Sequence, residues 1–332
     1  MNSFGRLFRV QIFGESHGEC VGITIDGCPA GHSLSADDFA ADLERRKGGS
    51  KGTTPRKEED FPNIKTGVFN GKTSGAPITI LFDNANTRSS DYDKQRSIPR
   101  PGHADFVAHA KFGGHEDYRG SGHFSGRLTV CLVAAGVIAK KIMPGITIES
   151  RILEIGGEAD PEKGLQKAID AKDSVGGIIE CRVTGLPAGL GEPFFDSAES
   201  LLSHAVFSIP AVRGIEFGTG FAAARMFGSK HNDAILNAGG TTRTNHAGGI
   251  VGGITNNNEL VFRIAIKPTS STPIEQESLN WDTGEKEHVS VKGRHDLCIA
   301  LRVPVVLEAV TAFVLADLML LEQHIPRVKP AN

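Results

Sequence analysis

Five short segments of this 332-residue chain gather titratable and small residues at spacings that allow chemistry. Phe13-Gly-Glu-Ser-His-Gly18 follows a strand-like run, and a histidine between small residues at a strand end is open to a ligand. Imidazole changes charge near neutral pH, so His17 is either an acid–base group or a solvated turn residue. In Arg100-Pro-Gly-His-Ala-Asp-Phe106, Pro101 and Gly102 set a tight bend that brings Arg100, His103 and Asp105 together. Such a trio binds an anion and donates a proton to it, or simply makes a turn. Arg119-Gly-Ser-Gly-His-Phe-Ser-Gly-Arg127 runs into an apolar helix, where free N–H groups and the helix dipole favour an anion. It matches neither G-x-G-x-x-G after a strand nor a Walker loop. Lys267-Pro-Thr-Ser-Ser271 offers one cation and three hydroxyls, and Lys292-Gly-Arg-His-Asp-Leu-Cys298 repeats the Arg/His/Asp theme in Arg294, His295 and Asp296. Six further cations, Arg45, Arg46, Lys47, Lys51, Arg56 and Lys57, form a solvated helix face or focus potential on a small polyanion.

The elements that position these residues carry their own signals. Strands are predicted at Leu7–Phe13, Ile78–Phe82, Ile146–Arg151, Ile178–Val183 and Leu260–Ile266, each short, β-branched or aromatic, and bounded by Gly, Pro or Asn. A capping box at Ser35–Asp38 predicts a helix over Ala36–Lys47. Asp160-Pro161 starts a short polar helix, and Asp196 with Glu199 precedes another over Leu201–Phe207. Arg127–Met143 and Pro304–Gln323 are apolar on all sides, and a helix of that kind is buried on all sides. Two such helices predict an interior layer covered by sheets rather than a doubly wound dinucleotide fold. Long polar loops fall at about 48–65, 84–102, 111–125 and 228–257, and loops of that length are usually functional.

Composition excludes several classes. Acids (39) and bases (36) leave a net charge of −3, against nucleic-acid or membrane-surface binding, and Glu58-Glu59-Asp60 dilutes the local cation run. Forty glycines point to tight turns and close backbone approaches. The five cysteines are scattered without a C-x-x-C pair, and His103, His109 and His115 lie six apart, so neither a disulfide framework nor a metal site is expected. The N-terminus reads as a strand without an apolar signal region, and Glu308 and Asp317 interrupt the apolar stretch 303–321. A cytoplasmic protein with a buried helix there, and no membrane span, is expected. Length alone predicts about two domains.

The motifs taken together, G-E-S-H-G, R-P-G-H-A-D, R-G-x-G before an x-S-x-R helix start, K-P-T-S-S and G-R-H-D, resemble the chorismate synthase family over residues 4 to about 323. The resemblance implies one α+β domain over 1–332, a β-α-β sandwich with antiparallel sheets covering central helices, assembled as a homotetramer. It implies a 1,4-anti elimination of phosphate from 5-enolpyruvylshikimate 3-phosphate to chorismate, the last common step of the shikimate pathway to aromatic amino acids. That lyase reaction needs reduced FMN without net redox change. The resemblance assigns His103 to the departing phosphate, His17 to the anionic region of the reduced flavin, and Asp296 to a proton relay supported by Ser16 and Ser125. Flavin contacts carry over to Arg46, His123, Phe124, Ser125, Gly252, Lys267, Pro268, Thr269, Ser270, Ser271 and Arg294. Substrate contacts carry over to Arg45, Arg46, Arg100, Arg127 and Arg294. With no extra nucleotide module recognisable, FMN is expected to be reduced by an external flavin reductase, with NADPH as the source.

This chain departs from the commoner family pattern in three places, one of them Lys51, which fills less well the place of a second cation that often follows the Arg-rich helix. His123-Phe124-Ser125 stands where Arg-Ser-Ser is usual, which puts flavin-phosphate contact there in doubt, and Leu297 replaces a proline. The alternatives are another reduced-flavin-dependent lyase acting on a carbocyclic phosphate, or a non-catalytic flavin- or phosphate-binding module.

Overall fold

The computed structural model describes residues 2–56, 58–85, 97–291 and 295–330. Strands β1 (Ser3–Phe4), β2 (Arg9–Gly14), β3 (Cys20–Asp26) and β4 (Asn63–Ile64) open the chain. A small hairpin, β5 (Val68–Phe69) and β6 (Lys72–Thr73), precedes β7 (Ile78–Asp83). The first sheet has the order β1-β2-β3-β7-β4, antiparallel throughout. Alternation along β3 and β7 makes its inner face: Val21, Ile23 and Ile25 stand opposite Phe82, Ile80 and Ile78, and all six are fully buried.

Further along come β8 (Thr147–Ile155), β9 (Gly177–Thr184), β10 (Val212–Phe217), the hairpin β11 (Ile250–Val251) and β12 (Ile254–Thr255), and β13 (Leu260–Ile266). β14 (Gln276–Leu279) and β15 (Lys286–Val289) form another hairpin. The second sheet runs β10-β13-β9-β8, again antiparallel, with Phe262 opposite Cys181 and Ile264 opposite Ile179 on its buried face. All five predicted strands are present, whereas β3 and β10 and the hairpin inside the predicted 228–257 loop were not foreseen.

The helices are α1 (Ala40–Arg46), α2 (Asp105–Phe112), α3 (Thr129–Ile142), α4 (Pro161–Ala171), α5 (Ala198–Val206), α6 (Gly228–His231) and α7 (Val303–Leu321). The expected capping box at Ser35 opens a 3-10 turn over Ala36–Phe39 that leads into α1. α3 packs on β2, β3 and β7, α7 packs on β8 and β9, and the two helices pack on each other. They come close at Gly136, where a Cβ would fall 2.3 Å from Ala309 Cα. This is the β-α-β sandwich that two all-round apolar segments require, and 94% of the most apolar window of α7 is buried in it. One contiguous core joins both sheets and both helices.

The two acids inside α7 explain themselves. Asp317 accepts backbone N–H bonds from Arg6, Leu7 (2.7 Å) and Phe8 (2.8 Å), tying the β1–β2 turn to the helix. Glu308 takes a bidentate pair from Arg45 at 2.7 Å, with Lys140 and the Ser150 N–H alongside. Buried carboxylates survive when paired in this way.

Candidate active site

Loops from both sheets and the ends of α1, α3 and α7 converge on a cavity of about 560 Å³. Seven cationic side chains line it (Arg46, Lys47, Arg56, Arg100, Arg127, Lys267 and Arg302) against three carboxylates (Glu58, Asp60 and Asp296), so the site is built for anions. Arg46, Arg100 and Arg127 are each less than a tenth exposed. Guanidinium keeps its charge when buried and pairs with carboxylate or phosphate in a fixed fork.

The Arg100–Asp105 turn folds as its residues require. Asp105 accepts from the Arg100 backbone N–H (3.0 Å), Nε (2.8 Å) and Nη2 (2.8 Å), and it meets His103 Nδ1 at 2.7 Å. Burial pushes the Asp105 carboxyl up, but hydrogen bonds from Arg100 and His103 outweigh it and hold the group well below the usual carboxylate range. With Nδ1–H committed to Asp105, Nε2 of His103 faces Ser121 Oγ at 3.2 Å. Arg100 reaches Ser121 (3.0 Å) and Ser271 (3.2 Å) with its remaining donors. Lys267 Nζ and Ser270 Oγ both bond the Gly102 carbonyl, clamping the turn from outside. Burial, and to a lesser degree Arg213, lower the Lys267 ammonium below its ordinary value. The second and fourth sequence segments are therefore one structural unit.

His17 and Ser16 are buried in the wall of the same cavity. Ser16 is held by its N–H to the Gly122 carbonyl (3.1 Å), and His17 lies against Gly120. Gly120 has φ 55°, and a Cβ there would fall 2.2 Å from the imidazole ring, so only glycine fits. Gly120→Ala is expected to lose about 1–3 kcal/mol of folding stability by overlap and strain, measured by urea unfolding. A loss below about 0.5 kcal/mol would show that His17 turns aside freely.

Behind these groups, Asp60 bridges two arginines. Arg46 Nη2 donates to Oδ2 at 2.5 Å and Arg127 Nη1 donates to Oδ1. Burial pulls the Arg46 guanidinium below its ordinary value and Asp60 opposes this. Arg127 also donates to Asn84 Oδ1 (2.9 Å) and to the Asp83 carbonyl (3.1 Å). Asp296 accepts from the Thr54 N–H (2.8 Å) and from Arg302 Nη1 (3.0 Å), while Arg302 Nε also binds the Arg46 carbonyl at 2.8 Å. Ser125 lines the cavity but spends its oxygen capping the Arg127 N–H at 3.3 Å. Pro268, Thr269, Ser270, Ser271 and Phe124 line it as well.

Three sequence-derived assignments fall elsewhere among the described residues. Arg45, next to Arg46, points to the opposite side of α1 and is consumed by Glu308 and Asp42, so it does not line the cavity. His123 is absent from this cavity's wall; its Nδ1 bonds the Gly14 carbonyl at 2.8 Å and the ring lines two neighbouring cavities. Gly252 sits in the exposed β11–β12 turn with nothing near its Cα face, away from the cavity. Arg294 lies outside the described residues. Asp60, Arg302, Arg56 and Ser121 were not assigned from the sequence. Arg56 carried a signal as a member of the cation run, and Ser121 as part of the glycine-rich segment 119–127.

A family model described as chorismate synthase matches residues 8–320. The chain is 72% identical over 329 residues to the chorismate synthase of Chitinophaga pinensis, covering 99% of each. It is 45% identical over 359 residues to that of Dehalococcoides mccartyi, covering 98% of this chain and 99% of the relative. A crystal structure of chorismate synthase superposes with a TM-score of 0.73 at 27% identity, covering 96% of this chain and 93% of the other. With near-complete matches in sequence and fold, the chain belongs to the chorismate synthase family.

Proposed function

We propose that this chain converts 5-enolpyruvylshikimate 3-phosphate to chorismate and phosphate by 1,4-anti elimination, with reduced FMN as cofactor. The observation that carries the reading is the Arg100–His103–Asp105–Ser121 network set into the wall of a cation-lined cavity. A substrate with two carboxylates and a phosphate needs several fixed guanidinium and ammonium groups, and a leaving phosphate needs a proton donor within reach.

The residues fit a bound flavin and anionic substrate. The cavity volume suits ligands of that class. Arg46 Nε and Thr269 Oγ1 are buried on its wall without a partner among the described residues, as expected of groups that meet a ligand. Arg46, Ser125, Phe124 and the 267–271 segment would hold the cofactor, with His17 toward its anionic edge. When bound, reduced FMN supplies electron density for phosphate departure and recovers it, with no net redox change. Arg100, Arg127 and Arg302 orient the substrate anions. His103, oriented through its Nδ1–H by Asp105, would give the departing phosphate the second proton it carries on Nε2 in its imidazolium form. Asp296, poised by Thr54 and Arg302, holds the proton taken from the ring, with Ser16 in support.

The exposed Phe194, Phe195, Phe221 and Phe227, each at least 80% accessible, favour burial between copies in a homotetramer. We read the chain as one domain because one core joins both sheets. An external reductase fed by NADPH and a cytoplasmic setting complete the proposal, supported by the family membership and by five free cysteines.

The test is an anaerobic assay with 5-enolpyruvylshikimate 3-phosphate and chemically reduced FMN. Equal release of chorismate and phosphate, absent with oxidised FMN, is expected. No product from protein that binds FMN would point to a different substrate. Product formation from NADPH and oxidised FMN alone would replace the external reductase with an intrinsic one.

A further inference from the structure

The turn between α4 and β9, residues 172–176, lines no part of the active cavity, yet it holds two segments that do. Lys172 ends α4 in the left-handed conformation (φ 55°), and the next two side chains reach the 267–272 segment. Ser174 Oγ donates to the Thr269 carbonyl at 2.7 Å, and Asp173 Oδ1 accepts from Thr272 Oγ1 at 2.7 Å. The same Asp173 oxygen accepts the Ser174 N–H at 2.7 Å, which couples the two grips. The Val175 N–H donates to the Leu297 carbonyl at 3.0 Å, one residue past Asp296. Gly176 completes the fit, because a Cβ there would fall 2.3 Å from the Ile266 carbonyl oxygen.

Thr269 is where this grip matters for the cavity. Its neighbours are held by other groups: the Lys267 N–H bonds the Ala211 carbonyl at 2.9 Å, Ser270 Oγ bonds the Gly102 carbonyl at 2.7 Å, and Ser271 Oγ accepts from Arg100. The Thr269 hydroxyl itself is buried in the cavity wall without a partner among the described residues. A buried hydroxyl left unpaired is costly, so its direction is worth fixing only if a ligand completes it. Holding the Thr269 carbonyl fixes the plane of its peptide and so constrains where the side chain of that residue can point.

We infer that Ser174 is a positioning residue for cofactor binding: from outside the cavity it holds the Thr269 carbonyl and thereby keeps the Thr269 hydroxyl turned to the flavin. Asp173 supports it by bonding both the Ser174 N–H and Thr272. The inference rests on the reading of the 267–271 segment as part of the FMN site and adds to it a residue that touches neither cofactor nor substrate.

The test is a double-mutant cycle read by FMN binding rather than turnover. FMN is titrated by its own fluorescence into full-length wild type, Ser174→Ala, Thr269→Val and the double variant. Each single variant is expected to bind FMN about five- to tenfold more weakly, the loss of one hydrogen bond. The double variant should bind no more weakly than Thr269→Val alone, because Ser174 acts through the hydroxyl already removed. Ser174→Thr, which keeps the donor, should recover most of the affinity. Thermal unfolding checks each variant; Ser174→Cys, of similar volume with a weaker donor, or Thr269→Ala replaces a variant that unfolds. Wild-type affinity in Ser174→Ala, or losses that simply add in the double variant, would overturn the positioning role while leaving the FMN site standing. Wild-type affinity in Thr269→Val, or no FMN binding by the wild type, would sink the reading of the 267–271 segment and this inference with it.

Discussion

Asp60→Ala is expected to lower the unfolding free energy by about 3–5 kcal/mol, among the largest effects of any single substitution in this protein. The Asp60 side chain is fully buried between Arg46 and Arg127, themselves 4% exposed at the side chain, and the substitution leaves two like charges facing each other out of water. Asp60 also sits at φ 54°, a left-handed conformation that aspartate tolerates better than alanine. Asp60→Asn keeps the shape and an acceptor and should lose less. The effect also has a pH signature. Burial raises the Asp60 carboxyl, but Arg46 and Arg127 outweigh it and leave its folded-state pKa below the ordinary value. Its contribution is therefore fully present above the ordinary carboxylate range and is lost as pH falls through that range toward the lowered folded value. Asp105, depressed in the same direction, adds to the same acid limb. Urea midpoints taken from neutral pH downward check both points: a loss under about 1 kcal/mol, or an acid limb as steep in Asp60→Ala as in wild type, would contradict the bridging role.

His103→Ala is expected to reduce turnover by about 10²- to 10⁴-fold while leaving FMN affinity close to that of wild type. The turn itself should persist, because Asp105 keeps three hydrogen bonds from Arg100 when the imidazole is gone. His103→Asn sharpens the test, since its amide can still donate toward Asp105 but offers no proton to the leaving phosphate. Single-turnover phosphate release under anaerobic conditions, alongside FMN titration and thermal unfolding, separates chemistry from folding. Unchanged release in either variant would remove His103 from proton donation.

How much of this was legible in the sequence depended on where each residue's partners lie. The Arg100–Asp105 cluster closes within five residues around a Pro-Gly bend, so local chemistry was enough to group it. The interior pair α3 and α7 was legible because burial on every face leaves no polar stripe. Helix α2 was missed, since Asp105–Phe112 mixes exposed Phe106, Val107 and Phe112 with charge and buries only Ala108. Asp60 was read as mere dilution of the cation run because its partners lie 14 and 67 residues away. Arg45 and Arg46 illustrate the limit of motif transfer. Neighbouring helical positions point about 100° apart, so one guanidinium enters the cavity and the other meets Glu308 on the far side. His123 lies off the cavity for a comparable reason, since a backbone carbonyl from β2 holds its ring.

The bond from Asp317 to residues 6–8 bears on how the molecule comes into being. The ribosome releases the β1–β2 turn some 311 residues before the carboxylate that fastens it. Until α7 emerges, α3 and the inner face of the second sheet lack the helix that covers them, and contacts this distant in sequence form slowly. The nascent chain therefore spends most of its synthesis as an open sandwich, and its last long helix, hydrophobic enough in length and composition to attract a membrane, is also the piece that closes it.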